Sequence, residues 1–294
     1  MRNPIRHLSI LVLSLSEWAI AGSASAEPGL LNPDDPIDTL EIKRKISCTT
    51  IDGEPAYYTW DGQAFSHRQG ERDIHLFDVE GFSARTCYAV EDPVRGKGYR
   101  LISREVLVYK DKDTGEVMDH WINPWTGNSV DVQHVQNDTQ KYSHFEKDRA
   151  GQEVTWHGVV TGSMWRARRI VPLFYPNPLG GDFQKEVGGT YHATEMFNDF
   201  GPAEELFSRE TTKSHVALGW VRMSDWLPWM LMNGREGEIY YHSSGNKIYD
   251  WDEVSPLLRD YIEANAPEYK TPPEDDGRRY MTSWKHYKIW KQDR

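Results

Sequence analysis

The sequence predicts a mainly β protein: a single large antiparallel β-barrel, or a strongly curved sheet, with a few short helices. Three observations carry that prediction. From about Tyr57 to Tyr249, successive stretches alternate in polarity or are rich in β-branched and aromatic residues. Clusters of Gly, Pro, Asn and Asp at 111–116, 123–127, 176–181 and 243–247 punctuate them as turns. Helix signals are few. Many strands joined by short turns give an antiparallel sheet that curls into a barrel, lipocalin-like in general architecture, or folds into a sandwich.

The elements follow in order. Arg2 and Arg6, an apolar run interrupted by Glu17, and Ala24-Ser25-Ala26 form the three parts of a secretory leader. Residues 1–26 are therefore read as a signal peptide, and 27–294 as one β-rich domain in the periplasm or secreted. The apolar run is too short and too interrupted for a spanning helix, so no membrane insertion is expected. Asp35-Pro36 can start a helix within 32–46. Strand patterns then occupy 100–111, 153–165, 189–197, 215–223 and 237–245. Asn123-Pro124-Trp125-Thr126-Gly127 reads as a turn feeding a strand whose one face carries Val130, Val132, His134 and Gln136. Asn137-Asp138 reads as the following turn. The irregular apolar segment with Trp226, Leu227, Pro228, Trp229, Met230 and Met232 reads as a plug for one end of a barrel, and also as a ligand-facing wall. Ser255-Pro256 is an N-cap followed by proline, with Leu257, Leu258, Tyr261 and Ile262 on one helix face. Residues 267–279 form a polar connector, and 280–290 resemble a last strand.

Composition excludes some function classes. Lys and Arg number 34 against 45 Asp and Glu, a net charge of −11, and no basic run exists, which argues against nucleic acid and acidic membrane surfaces. Only two cysteines occur, Cys48 and Cys87; a disulfide in an oxidising compartment and two buried thiols both fit. Twelve Trp and fifteen Tyr exceed the needs of an ordinary core and suit a small hydrophobic or aromatic ligand. A homo-oligomer remains open. No nucleophile elbow, phosphate loop or dinucleotide fingerprint is present, and no pair of acids stands out for glycosidase chemistry. His120, His157, His192 or His242 with Glu195 could form an iron site, but no ligand spacing supports it, so neither metal nor cofactor is expected.

Candidate chemistry comes from polar residues in step with apolar neighbours on strands. His134 follows Val130 and Val132; Glu195 follows Tyr191 and Ala193; Arg222 follows Val216, Leu218 and Trp220. Such charges must meet each other, water or a ligand, because burying one unpaired costs several kcal/mol. The plain readings are a satisfied core histidine for His134 and a structural ion pair for Glu195 with Arg222. Arg104 and Glu105 point opposite ways, and one of them can simply face solvent.

The blocks "SREVLVYKDKDTGEVMDHWINPWTGNSVDVQHVQND", "GWVRMSDWLPWMLM" and "TSWKHYK" resemble a family of bacterial exported proteins classified only as a domain of unknown function. The resemblance spans roughly Leu40 to Ile289. It rests on Trp121, Asn123, Pro124, Thr126 and Gly127; on His134, Asn137 and Asp138; and on Trp220, Arg222 and Trp226 to Met230. Thr139-Gln140 departs from the Pro-Val that members often carry there. The resemblance implies a shared site or a shared fold around His134 and Arg222, and no settled activity.

The expectation is a cofactor-independent enzyme of lyase or isomerase type. His134 or Glu195 would be general base, Arg222 the oxyanion or carboxylate holder and Tyr191 the general acid. Trp121, Asn137, Trp220, Trp226, Trp229 and Arg104 would contact a small apolar, aromatic, lignin-type molecule. Retro-aldol C–C cleavage is one concrete form. The alternatives are a periplasmic binding protein for a hydrophobic small molecule and a structural domain with no cavity.

Overall fold

The computed structural model describes residues 29–176, 190–278, 281 and 283–293. The leader read at 1–26 and the loop at 178–183 lie outside them. Nine strands form one antiparallel sheet: β1 (Ala56–His67), β2 (His75–Asp92), β3 (Gly96–Lys110), β6 (Val135–Phe145), β7 (Val159–Thr161), β8 (Met164–Pro176), β9 (Thr190–Pro202), β10 (Ala217–Ser224) and β11 (Glu238–Ile248). Their order is β6-β3-β2-β1-β11-β10-β9-β8-β7, and a separate short hairpin pairs β4 (His120–Ile122) with β5 (Ser129–Asp131). The sheet curls into a half-barrel, as the alternating patterns predict. Its curl brings distant strands into each other's electrostatic field: Glu105 on β3 senses Glu195 on β9, and His144 on β6 senses Arg169 on β8.

Two apolar layers result from the two faces of the strands. On the convex side Phe82, Ala84, Val106 and Val108 pack under Val254, Leu258, Ile262, Ala266 and Tyr269. Those residues belong to helix α3 (Pro256–Asn265) and its flanks, capped as expected by Ser255, whose hydroxyl accepts the Leu258 N–H. On the concave side Tyr58, Trp60, Phe77, Val79, Leu107, Tyr109, Leu218, Trp220 and Tyr241 turn inward. Gly81 and Gly245 are required there: a Cβ on Gly81 would sit 2.1 Å from the Trp60 indole that covers it, and one on Gly245 would sit 2.0 Å from the Thr59 carbonyl oxygen of the neighbouring strand.

The ends of the curl are closed differently. At one end, helix α1 (Pro36–Ser47), capped by Asp35 as predicted, packs its C-terminal turn on the sheet, and the short helix α2 (Ala203–Phe207) follows β9. Lys247 donates to the carbonyls of Lys45 and Cys48, Tyr58 to that of Ile46, and Cys48 forms a disulfide with Cys87 on β2. At the other end the Trp226–Met230 segment makes a 3-10 turn, with Trp229 and Met230 buried against Phe77, Tyr109 and Trp121. That is the predicted plug.

Three local expectations are corrected. Residues 283–292 form helix α4 (Ser283–Gln292), not a strand; Tyr287 is fully buried and its ring meets Trp290 at 5.7 Å, the contact of a helical i, i+3 pair. Asn137 and Asp138 do not turn but run within β6, where they pair with Glu105 and Arg104. The stretch 153–158 is irregular, and only Val159–Thr161 precedes the tight turn into β8. Among the described residues no helix is long and apolar enough to cross a membrane.

Candidate functional site

The concave face of β9, β10 and β11 carries a polar cluster. Register places Arg222 directly between Glu195 and Tyr241. Arg222 Nη1 donates to Glu195 Oε1 at 2.7 Å and Nη2 to the Tyr191 hydroxyl at 2.7 Å. Burial disfavours the Arg222 charge, but Tyr191 and Glu195 outweigh it and hold the guanidinium firmly protonated. Burial likewise pushes the neighbouring Tyr241 hydroxyl up, and the Tyr109 hydroxyl to about 12, so both are hydrogen-bond donors at neutral pH.

These groups face the inside of the curl, yet Arg222 and Glu195 keep 22% and 19% of their side-chain surface accessible. These charges border the hollow of the half-barrel at the edge of its packed core, where a water-sized probe still reaches them. That core is aromatic here: Trp220 stacks on Tyr241 at 5.7 Å and meets Trp60 edge-on at 6.3 Å. The indole N–H groups of Trp60 and Trp220 and the Ser243 hydroxyl are buried and have no hydrogen-bond partner among the described residues. Uncompensated buried donors each cost about 1–3 kcal/mol, so they are suited to a ligand or ordered water.

Of the adjacent pair Arg104 and Glu105, it is Glu105 that turns inward. It lies on the concave side of β3, paired with Asn137 on β6 and Ser83 on β2. Gln140 Nε2 donates to Glu105 Oε2 at 2.5 Å. Burial, with Glu195 adding to it, pushes the Glu105 carboxyl up against the opposing pull of Arg85, Gln140 and Asn137. Two carboxyl groups thus face the hollow from β3 and β9, Glu195 joined to an arginine and Glu105 shifted upward by burial. Arg85, Trp60 and Tyr241 carried no signal in the sequence, and register alone puts them on this face: Trp60 opposite Gly81, Tyr241 opposite Arg222, and Arg85 two residues along β2 from Ser83.

The remaining predicted residues are placed as follows. His134 does not touch Arg222, Glu195 or Tyr191. Its Nδ1 accepts the Tyr109 backbone N–H at 3.1 Å, and its ring lies between Tyr109 and Tyr261. Burial lowers its pKa to about 4, against the opposite effects of Asp119 and a Met118 backbone bond, so the acceptor is the neutral imidazole. Asn137 accepts from Ser283 at 3.1 Å and flanks Glu105. Trp121 and Trp229 pack together in the plug, and Trp226 donates to the Arg235 carbonyl while packing on Trp125. Arg104 faces the other way: it lies 3.1 Å from Asp138 and donates to the carbonyls of Glu268 and Thr271 on the convex side. Among the described residues no three His, Cys, Asp or Glu side chains gather as metal ligands. A separate shallow hollow of about 390 Å³ lies outside the plug, between Asn128, Leu231, Asn233 and Lys291.

A family model described as "Protein of unknown function (DUF1838)" matches residues 53–291. No curated protein matches the chain. Among solved structures, the attachment invasion locus protein Ail of Yersinia pestis is similar at 9% identity over 67% of this chain and 100% of its own, with a TM-score of 0.13, which carries no argument.

Proposed function

Since the chain belongs to the DUF1838 family over residues 53–291, whose description assigns no activity, we propose a function from its own residues: an exported, cofactor-independent lyase or isomerase acting by proton transfer on a small, largely aromatic molecule inside the half-barrel. The observation that carries this reading is the inward-facing Tyr191–Arg222–Glu195 chain, with Tyr191 buried and Arg222 and Glu195 still accessible, beside an aromatic wall.

The chemistry assigns one role to each group. Glu195 Oε1 is held by Arg222, while Oε2 has no hydrogen-bond partner among the described residues and is the base. It takes a proton from a carbon next to a substrate carbonyl, or from a hydroxyl β to that carbonyl, whose deprotonation forms a new C=O as the C–C bond breaks and leaves an enolate. The electron pair moves onto the carbonyl oxygen, and Tyr191 and Arg222 stabilise that developing oxyanion by hydrogen bonding and charge. The proton on Glu195 then returns to carbon, which balances an isomerisation or a retro-aldol cleavage. His134 supports the wall through Tyr109 and is not needed in the step.

Incubating purified protein with aromatic ketones and lignin-type dimers, followed by mass spectrometry or chiral analysis, tests this reading. Turnover abolished in Glu195→Gln supports it. Tight binding without chemical change points instead to a periplasmic binding protein that uses the same hollow.

A further inference from the structure

Three cations of the concave face are matched to oxygen ligands suited to them. Arg222 has Glu195 and Tyr191, Arg169 has Asp199, and Lys247 has the carbonyls at the end of α1. Arg85 is different. Its Nε donates to Ser83 Oγ at 2.9 Å and its Cζ lies 4.0 Å over the Tyr58 ring. No carboxylate lies within ion-pair distance of it, and its two Nη nitrogens have no protein partner among the described residues. Ser83 and Tyr58 are themselves buried, so the guanidinium is seated on a fixed platform, and its outer fork is left over.

The nearest acid does not fill that fork. Glu105 is bonded to Gln140 and acts on Arg85 only through the field between them. A half-buried guanidinium without an anionic partner is costly, and a planar fork held 4.0 Å over an aromatic ring can match a carboxylate in two parallel hydrogen bonds.

Position gives the rest of the ligand. Gly81, Ser83 and Arg85 share the concave face of β2, so Arg85 stands roughly 13 Å along the strand from Gly81. Trp60 covers Gly81, Trp220 meets Trp60, and Arg222 is two residues beyond Trp220 on β10. The aromatic wall thus runs between Arg85 and the Glu195–Arg222 pair. We infer that Arg85 is an anion anchor, and that the concave face takes an aromatic carboxylic acid, its carboxylate on the Arg85 fork and its ring against the aromatic wall that begins at Trp60. This rests on the reading of the concave face as a ligand chamber, and it holds whether the ligand is turned over or only bound.

The test is binding of biphenyl-4-carboxylate and its neutral counterpart biphenyl-4-carboxamide, read by tryptophan fluorescence and calorimetry at pH 7. Wild-type protein is expected to bind the acid about ten- to a hundred-fold more tightly than the amide. In Arg85→Met that preference disappears while amide affinity stays, and in Arg85→Lys, which keeps the charge and loses the fork, it is intermediate. Equal affinity of the wild type for both probes, or an unchanged preference in folded Arg85→Met and Arg85→Lys, overturns the anchor and leaves the chamber standing. Failure of both probes to bind overturns the chamber, and the anchor with it.

Discussion

Arg222 and Glu195 stand directly opposite each other on neighbouring strands, and their side chains meet at 2.7 Å on the concave face of the sheet. Because Cβ atoms of directly paired residues lie about 4.5–5.5 Å apart, this contact is dictated by register as much as by charge. Glu195→Gln keeps a hydrogen-bond acceptor for Arg222 and removes the base. It is expected to lower turnover about 10²- to 10⁴-fold with little change in urea midpoint. Glu195→Ala instead strands the guanidinium and lowers stability by a few kcal/mol. Equal destabilisation by both variants would contradict this division.

His134 predicts an acid limb. Its pKa is lowered by burial to about 4, against an ordinary value near 6.5, so folding favours the neutral ring. A depressed histidine contributes stability that is full above about pH 6.5 and is lost as pH falls toward 4, at up to about 1.4 kcal/mol per pH unit. His134→Asn offers an oxygen to the Tyr109 N–H and does not titrate in this range. Its urea-unfolding free energy should therefore fall less steeply between pH 6.5 and 4 than that of the wild type. Parallel curves would remove the histidine from that role.

Arg104 and Arg85 separate the two faces of the sheet. Arg104 ties Asp138 to the backbone of Glu268 and Thr271 on the convex side. Arg104→Met is expected to speed amide exchange around residues 267–271 and leave ligand-induced tryptophan quenching unchanged. Quenching lost in this variant would place Arg104 in the chamber after all.

The Cys48–Cys87 disulfide, spanning 39 residues, ties the end of α1 to β2. Loop-closure entropy for that span corresponds to about 4 kcal/mol, with engineered bonds commonly giving less. Replacing both cysteines by Ser should lower the unfolding free energy by roughly 2–4 kcal/mol. A variant as stable as the wild type would show that α1 docks without it.

Gly81→Ala tests the aromatic wall. The added Cβ would collide with the Trp60 ring at 2.1 Å, so the indole must move. The expected cost is about 1–3 kcal/mol, together with a shifted tryptophan emission spectrum. An unchanged spectrum would mean that Trp60 does not hold its place over this glycine.

Much of this was legible in the sequence, and the failures have physical causes. The period-two patterns gave the sheet because antiparallel strands alternate faces, and the Asp35-Pro36 and Ser255-Pro256 signals gave both helix starts. Glu195, Arg222 and Tyr191 were found because each is in step with apolar neighbours on a strand. Glu105 was not, because β3 is buried on both faces: Leu107 and Tyr109 face the hollow, while Val106 and Val108 face α3. Alternation then separates two faces without saying which one is concave, and Arg104 was taken in place of its neighbour. The C-terminal helix was misread because its short, Lys-rich stretch fits a strand as well as a helix until Tyr287 is known to be buried. His134 was legible as buried and polar, and only the structure supplies its partner, the Tyr109 amide.

The most direct measurement is deuterium exchange. Wild-type protein and Glu195→Gln are incubated in D₂O with an aryl alkyl ketone, and the carbon next to the carbonyl is followed by NMR. Wild-type protein should exchange that proton well above the buffer rate, and Glu195→Gln should not. A bound ketone that exchanges no faster with wild-type protein than in buffer would contradict the role of Glu195 as base.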